Sequence, residues 1–97
     1  MNRTEENRKG NSRSSGSRKT VETIYFGPLK EKTGREREVL VTLAATPREL
    51  YREIASRYGF EERFDEIRVA VGEEFCDLDR RLEPDDTVVF LFPFGGG

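Results

Sequence analysis

Histidine and tryptophan are absent from the 97-residue sequence, and cysteine and methionine occur once each. Without histidine the chain cannot assemble Ser–His–Asp or Cys–His pairs for nucleophilic catalysis, and one cysteine cannot supply a Cys/His zinc site. A single cysteine also cannot form an internal disulfide, which fits a reducing compartment such as the cytoplasm. Cys76 stands in "EEFCDLD", where acidic neighbours would raise a thiol pKa, so we interpret it as a partly buried apolar residue rather than a reactive thiol.

Long hydrophobic runs are also missing. The longest, from Val88 to Phe92, is far too short to span a membrane. Residues 1–20 contain no apolar residue besides Met1, so they lack both the apolar stretch of a secretory signal and the side chains for a core. We therefore predict a disordered basic tail over residues 1–20, a folded domain over 21–92, and a flexible glycine-rich tail over 93–97.

Charge divides at the same boundary. The first twenty residues hold six lysines and arginines against two glutamates, a net +4, and the remainder holds eleven against seventeen acidic residues, a net −6. A basic arm can contact nucleic acid or an acidic partner. Because this arm has no aromatic residues and the folded part is acidic, the pattern favours a solubilising tail over a nucleic-acid interface.

Short segments rich in β-branched and aromatic residues, separated by turn residues, predict a β-sheet. Predicted strands cover residues 21–26, 36–43, 67–72 and 87–92, and Phe75 marks a very short additional strand before the last one. Residues 27–35 lie between a Gly-Pro and a Thr-Gly pair, which predicts a hairpin connection with room for a helical turn.

One main helix is predicted after the second strand. Thr46 is the expected N-cap, Pro47 occupies the first helical position and Glu49 completes a capping box, while Gly59 is the expected C-cap. An apolar face follows the helical period. It consists of Leu50, Tyr51, Ile54, Ala55 and Tyr58.

The last strand decides the topology. Residues 88–92 are apolar at every position, so both faces of this strand must be covered, which an edge strand would not achieve. A central last strand beside a central first strand, with one helix packed across the sheet, is a β-grasp. We predict an α+β, ubiquitin-like fold with a mixed sheet of four to five strands.

From Val21 to Gly97 the sequence resembles the ubiquitin-like sulfur carriers of the MoaD/ThiS type, most closely the small subunit of molybdopterin synthase. "TIYFGPLKEKTG" matches the family's first strand and loop, and "TPRELYREIASRYG" matches its helix. "RVAVGEEFCDLDRRLEPDDTVVFLFP" matches the later strands, and "FPFGGG" matches the terminal diglycine motif. Phe92 stands where a proline is usual, Gly95 adds a third glycine, and Gly72 replaces a common asparagine, which leaves the branch of the family open.

The resemblance implies the chemistry at the chain's end. Gly97 would be adenylated with ATP by an E1-like partner enzyme and converted to a thiocarboxylate with sulfur from a cysteine desulfurase or rhodanese-type donor. Pro93, Phe94, Gly95 and Gly96 would thread into the partner's site, with Phe94 docked in a partner groove rather than folded back into the core. The chain itself would bind no cofactor and would act as a carrier, with the large subunit of molybdopterin synthase as its further partner.

The same resemblance assigns Phe26, Phe75 and Leu91 to the contact with the large subunit and the adenylating enzyme. Independently, a sheet covered by one helix has a second face, where bulky apolar side chains indicate an interface. A core position is the alternative, and it is weaker for Phe75, which follows two glutamates in a short segment.

Three functions remain open from the sequence. The first is delivery of sulfur for molybdopterin in the molybdenum cofactor pathway. The second is delivery of sulfur for another product, such as thiamine, cysteine or thiolated tRNA. The third is attachment to lysines as a ubiquitin-like modifier. All three begin with adenylation and differ in the acceptor, which this chain does not encode.

Overall fold

The computed structural model describes residues 17–61 and 66–91. These residues form seven elements, and each segment predicted as a strand is one. The elements are β1 (Lys19–Tyr25), α1 (Pro28–Thr33), β2 (Arg37–Thr42), α2 (Pro47–Tyr58), β3 (Arg68–Val71), β4 (Glu74–Cys76) and β5 (Thr87–Leu91).

The five strands form one mixed sheet in the order β2-β1-β5-β3-β4. β5 lies at the centre, parallel to β1 and antiparallel to β3. Val88 and Phe90 of β5 are fully buried on one face, while Val89 and Leu91 are half-buried on the other. The predicted central position of the last strand is confirmed, and the arrangement is the α+β β-grasp fold.

Helix α2 begins and ends at the predicted residues. Thr46 has extended backbone angles, and its hydroxyl accepts a hydrogen bond from the Glu49 amide at 3.2 Å. The Glu49 carboxylate accepts from the amide of Ala45, one residue before the N-cap, at 2.9 Å, so the return bond of the capping box is shifted by one residue. Gly59 ends the helix in the left-handed region with φ 75°, where a side chain would be strained.

The apolar side of α2 packs across the sheet. Leu50, Tyr51, Ile54 and Ala55 are at most 2% exposed, and the Tyr51 ring lies 5.4 Å from the ring of Phe90. Full burial of each large side chain contributes about 1.5–3 kcal/mol, so this contact stabilises the fold. The other core residues are Val21, Tyr25, Leu29, Leu40, Ala44, Ile67, Val69, Val71, Leu82 and Val88.

The predicted boundary of the N-terminal tail is wrong by two residues, because β1 begins at Lys19. Lys19 and Thr20 pair with Thr42 and Val41. Lys19 is only 8% exposed, and its ammonium group donates to the carbonyl of Ala44 at 2.7 Å. A lysine stem can cover apolar surface while its charged end finds an acceptor, a property that composition does not reveal. The predicted disorder of residues 1–16 lies outside the described residues.

Cys76 is partly buried against the core, as predicted. Burial, followed by smaller contributions from Asp77 and Asp86, raises the pKa of its thiol, although Arg80 opposes the shift. The thiol is therefore less reactive than a free one. Among the residues that the structure describes, no helix has the length and apolar character of a membrane span.

Candidate functional site

The sheet has one face covered by α2 and a second face that carries no helix within residues 17–61 and 66–91, which we call the open face. Side chains alternate between them along each strand, so Val21, Thr23 and Tyr25 of β1 are buried while Glu22 and Ile24 are partly exposed. The register of the pairs extends this alternation to the other strands. The open face is formed by Thr20, Glu22, Ile24, Arg37, Val39, Val41, Arg68, Ala70, Phe75, Thr87, Val89 and Leu91.

An apolar row crosses the middle of the open face. Ile24 pairs with Val89, Val89 with Ala70, and Ala70 with Phe75, so four strands contribute one residue each. Leu91 lies two residues after Val89 on β5. Phe26 lies two residues after Ile24, directly after the end of β1, so the alternation of the strand places it on the same face. We call these six residues the apolar patch. Its two aromatic members protrude, with Phe26 51% and Phe75 70% exposed, whereas Ala70 is 9% exposed.

A tight hairpin places Phe75 in the patch. Gly72 and Glu73 connect β3 to β4 with φ values of 59° and 80°. Two consecutive positive φ values are typical of a two-residue type I′ turn, whose twist matches that of the strands. Asparagine also tolerates positive φ, which explains why glycine can replace the family's common asparagine here. The resulting register sets Phe75 opposite Ala70 on an edge strand.

The three residues predicted to bind partners therefore share one face. Phe26 and Phe75 are exposed, and Leu91 is half-buried at the end of β5. A core position is excluded for Phe26 and Phe75, while their role in binding stays a prediction. The sequence argument overlooked Ile24, Ala70 and Val89, which the two-residue period of the strands would have identified.

A buried polar network lies under the same end of the sheet, on the helix side. Tyr25 and Tyr58 both donate to the carboxylate of Glu38, at 2.6 Å and at 2.9–3.0 Å. Thr23 donates to the Tyr25 hydroxyl at 3.0 Å, and Arg35 lies 3.6 Å from the carboxylate, whose side chain is 8% exposed. Burial and then the Glu38 carboxylate raise the pKa of Tyr25. The network joins β1, β2 and the last turn of α2, which fixes the end of the sheet that presents Phe26.

A second exposed apolar stripe follows β2, the edge strand on the side of the sheet opposite to β4. Val39, Val41 and Leu43 are 54–67% exposed along and just beyond the edge strand β2. This stripe is separated from the apolar patch by Glu22 and Thr20, which pair with Val39 and Val41.

The chain leaves the sheet at the apolar patch. β5 ends at Leu91, so the continuation towards Gly97 starts from the centre of the sheet rather than from an edge. The predicted tail residues lie outside the described residues. In the part that is described, the acidic and cysteine side chains form no group of three or more able to hold a metal ion. The apolar patch, with its exposed Phe26 and Phe75, thus lies beside the point where the chain leaves the sheet.

Comparison with known proteins agrees with this geometry. The model of the ThiS family matches residues 23–97, whereas no curated protein matches the chain. The structure is similar to that of small archaeal modifier protein 1 (SAMP1) from Haloferax volcanii, with a TM-score of 0.65 and 22% identity over 80% of this chain and 99% of that one. It is also similar to SAMP1 from Methanosarcina acetivorans, with a TM-score of 0.68 and 18% identity over 84% and 100%.

A third similar structure is a putative molybdopterin converting factor, subunit 1, from Pyrococcus furiosus. Its TM-score is 0.63, with 24% identity over 76% of this chain and 97% of that one. At these identities the likeness shows the shared β-grasp fold. The family model, in contrast, extends from within β1 through β5 and on to Gly97. The chain therefore belongs to the ThiS family, the sulfur-carrier family that its sequence resembles.

Proposed function

We propose that this protein is a sulfur carrier whose C-terminal residue, Gly97, is adenylated and then converted to a thiocarboxylate. The observation that supports this best is the position of Leu91. The central strand ends within an exposed apolar patch, so a partner that covers the patch also receives the glycine tail. Docking and delivery are then one event.

The chemistry explains why the carboxylate needs a partner enzyme. A carboxylate is a poor electrophile because both oxygens share its negative charge. One carboxylate oxygen attacks the α-phosphorus of ATP, pyrophosphate leaves, and an acyl adenylate forms. Sulfide then attacks the acyl carbon and AMP leaves, which yields the thiocarboxylate. If a persulfide is the donor, its terminal sulfur attacks, and a thiol must afterwards cleave the resulting acyl disulfide.

The composition of the tail suits this transfer. Glycine has no Cβ and adopts positive φ readily, so Gly95, Gly96 and Gly97 fit a narrow channel close to the partner's backbone. Proline lacks an amide donor, so Pro93 cannot donate a further hydrogen bond to a neighbouring strand. Five residues extend at most roughly 3.3–3.6 Å each, so Gly97 reaches on the order of 17 Å beyond residue 92.

Within this proposal the acceptor pathway is molybdopterin synthesis, with the chain as small subunit beside a large catalytic subunit. Its partners are that large subunit, an E1-like adenylating enzyme and a desulfurase or rhodanese-type donor. The name of the Pyrococcus furiosus neighbour, a converting-factor subunit, supports this assignment. The absence of histidine supports a carrier that leaves the acid–base chemistry to its partners.

A second candidate is a ubiquitin-like modifier attached to lysines, and the names of the two archaeal neighbours favour it. Both functions require adenylation of Gly97. They separate afterwards, because a modifier forms isopeptide bonds with proteins whereas a carrier releases its sulfur to a small molecule. Mass spectrometry of lysine-linked adducts in cells distinguishes them.

The central experiment is thiolation in vitro. With the organism's adenylating enzyme, ATP and a sulfur donor, the intact chain should gain the mass difference between sulfur and oxygen, located on Gly97. A C-terminal extension should abolish the gain, and Gly96→Val should impair it through its Cβ and restricted φ. Both variants should melt at the wild-type temperature, since neither alters the described core.

Deletion of Gly97 provides a finer test. The shortened tail still ends in Gly-Gly but stops roughly 3.5 Å earlier. A displacement of that size in a preorganised site should lower the thiolation rate by at least about 100-fold. Thiolation of the shortened chain at the wild-type rate would contradict a tail positioned from the sheet. Absence of thiolation in the intact chain would contradict the proposal itself.

A further inference from the structure

Arg68 is the charged residue of the open face that lies where the chain leaves the sheet. It is the first residue of β3 and pairs with Leu91, the last residue of β5. It is exposed and borders the apolar patch, whose residue Ala70 follows two positions later on the same strand.

Most other arginines of the folded part have carboxylate partners. Arg37, also on the open face, lies 2.9 Å from Glu22, and Arg48 forms two hydrogen bonds with Asp79 at 2.8 and 3.0 Å. Arg68 differs, because the contact of its guanidinium within residues 17–61 and 66–91 is a 3.5 Å hydrogen bond to the carbonyl of Ile67. The further arginines with carboxylates within 4.0 Å are Arg35, Arg57, Arg80 and Arg81.

A partner that covers the apolar patch therefore removes Arg68 from water. Leu91 pairs with Arg68 on one side, and Phe75 lies on the strand at the other side, opposite Ala70 two residues further along β3. A surface that contacts both Leu91 and Phe75 therefore passes over Arg68. Burial of an unpaired charge is strongly unfavourable, whereas a carboxylate with good geometry offsets that penalty. Arginine together with aromatic residues is also the composition found at the energetic centres of interfaces.

We infer that the adenylating enzyme presents an aspartate or glutamate to Arg68 when it covers the apolar patch, and that this pair selects the partner and sets its orientation. The inference rests on the proposed function. From residue 21 onward the chain carries a net charge of −6, so a partner attracted by the overall field presents mainly positive charge. An acidic residue at one point of that surface matches Arg68 in one orientation, because other orientations leave like charges opposed.

The pair should act on binding and not on the acyl chemistry, because Arg68 is on the sheet whereas Gly97 is six residues along the sequence from Leu91, the last residue of β5. The probe is ATP–pyrophosphate exchange catalysed by the organism's adenylating enzyme, measured against carrier concentration. Arg68→Gln should raise KM by about 30-fold or more, and Arg68→Glu should raise it further, with kcat at saturation within about twofold of wild type. Arg68→Lys should recover part of the loss by restoring the charge.

Arg81→Glu is the matched control, because it makes the same change in net charge on an exposed arginine of the loop before β5. Its KM should stay within about threefold of wild type. Thermal melts of all variants establish that each is folded, and Arg68→Gln decides the result if Arg68→Glu is unstable. If the wild-type chain supports exchange but the Arg68 variants have the same KM as Arg81→Glu, the inference about Arg68 is overturned and the proposed function stands. Absence of exchange with the wild-type chain would instead overturn the proposed function.

Discussion

Replacement of Glu38 by leucine tests whether the buried polar network holds the patch end of the sheet together. Leucine keeps the bulk of the side chain but removes the acceptor of two tyrosine hydroxyls. The Tyr25 hydroxyl is 2.6 Å from the carboxylate, and the Tyr58 hydroxyl is 2.9–3.0 Å from its two oxygens. The variant therefore leaves two donors without their charged partner.

The expected loss follows from the environment of each donor. A hydrogen bond to a charged group contributes about 1.5–3 kcal/mol, so two give about 3–6 kcal/mol if they are independent. They share one carboxylate and are not independent. Tyr25 can turn its hydroxyl to Thr23, which already lies 3.0 Å away, and the half-buried Tyr58 can bind water. We therefore expect a loss near the lower end, about 3 kcal/mol.

The measurement is urea and thermal unfolding of Glu38→Leu, followed by circular dichroism. A loss of about 3 kcal/mol should lower the melting temperature by roughly 12–24 °C for a domain of this size. Glu36→Leu is the control, since Glu36 is exposed two residues earlier and its side chain should contribute within about 0.5 kcal/mol. Tyr58→Phe should lower the free energy of unfolding by about 1 kcal/mol, because the Glu38 carboxylate still accepts the hydrogen bond from Tyr25. A loss below about 1 kcal/mol for Glu38→Leu would show that the network is energetically unimportant and that another contact fixes this end of the sheet.

Three other predictions concern the tail boundary, alkaline pH and the patch. Removal of residues 1–18 should leave the melting temperature unchanged. Removal of residues 1–20 should destabilise the domain by about 1–3 kcal/mol, because it removes the start of the β1–β2 pairing and the hydrogen bond from Lys19 to Ala44. Equal melting temperatures for the two deletions would contradict the placement of Lys19. The pKa of Tyr25 is raised in the folded state. The contribution of its protonated hydroxyl to the free energy of unfolding is therefore complete below the pKa of the unfolded chain, near 10, and is lost as the pH rises above that value. Urea midpoints should thus fall above about pH 10 and fall less in Tyr25→Phe, and parallel curves would refute this reasoning. Phe75→Arg should keep the wild-type melting temperature, since Phe75 is 70% exposed. It should weaken ATP–pyrophosphate exchange by the adenylating enzyme, because it places a charge at the contact. An unfolded variant would show that Phe75 belongs to the core.

The sequence predicted those features that depend on short-range patterns. Thr46, Pro47 and Gly59 identified the ends of α2 because capping depends on a few adjacent residues. The apolar run of β5 identified the centre of the sheet because a strand buried on both faces has no polar alternation. Both inferences needed no knowledge of distant contacts.

Features that depend on contacts between distant residues were not predictable in this way. Lys19 joins the sheet because the carbonyl of Ala44 lies beside it, 25 residues later in the chain. The Glu38 network unites residues from β1, β2 and α2, and its glutamate looks like any other charged residue of a strand. Arg68 lies beside the chain exit because it pairs with Leu91, 23 positions later in the sequence, which the register of β3 against β5 shows.

The central position of β5 also bears on protein synthesis. Within the described sheet, β1 and β3 are joined through β5, which the ribosome makes after the other six described elements. A nascent chain that has not reached Thr87 has neither the strand that joins the two halves of the sheet nor the buried Val88 and Phe90 on which α2 rests. Folding is thus coupled to synthesis of β5, and products terminated before it lack a stable core. Such fragments should be degraded before they can compete with the intact protein for its enzymes.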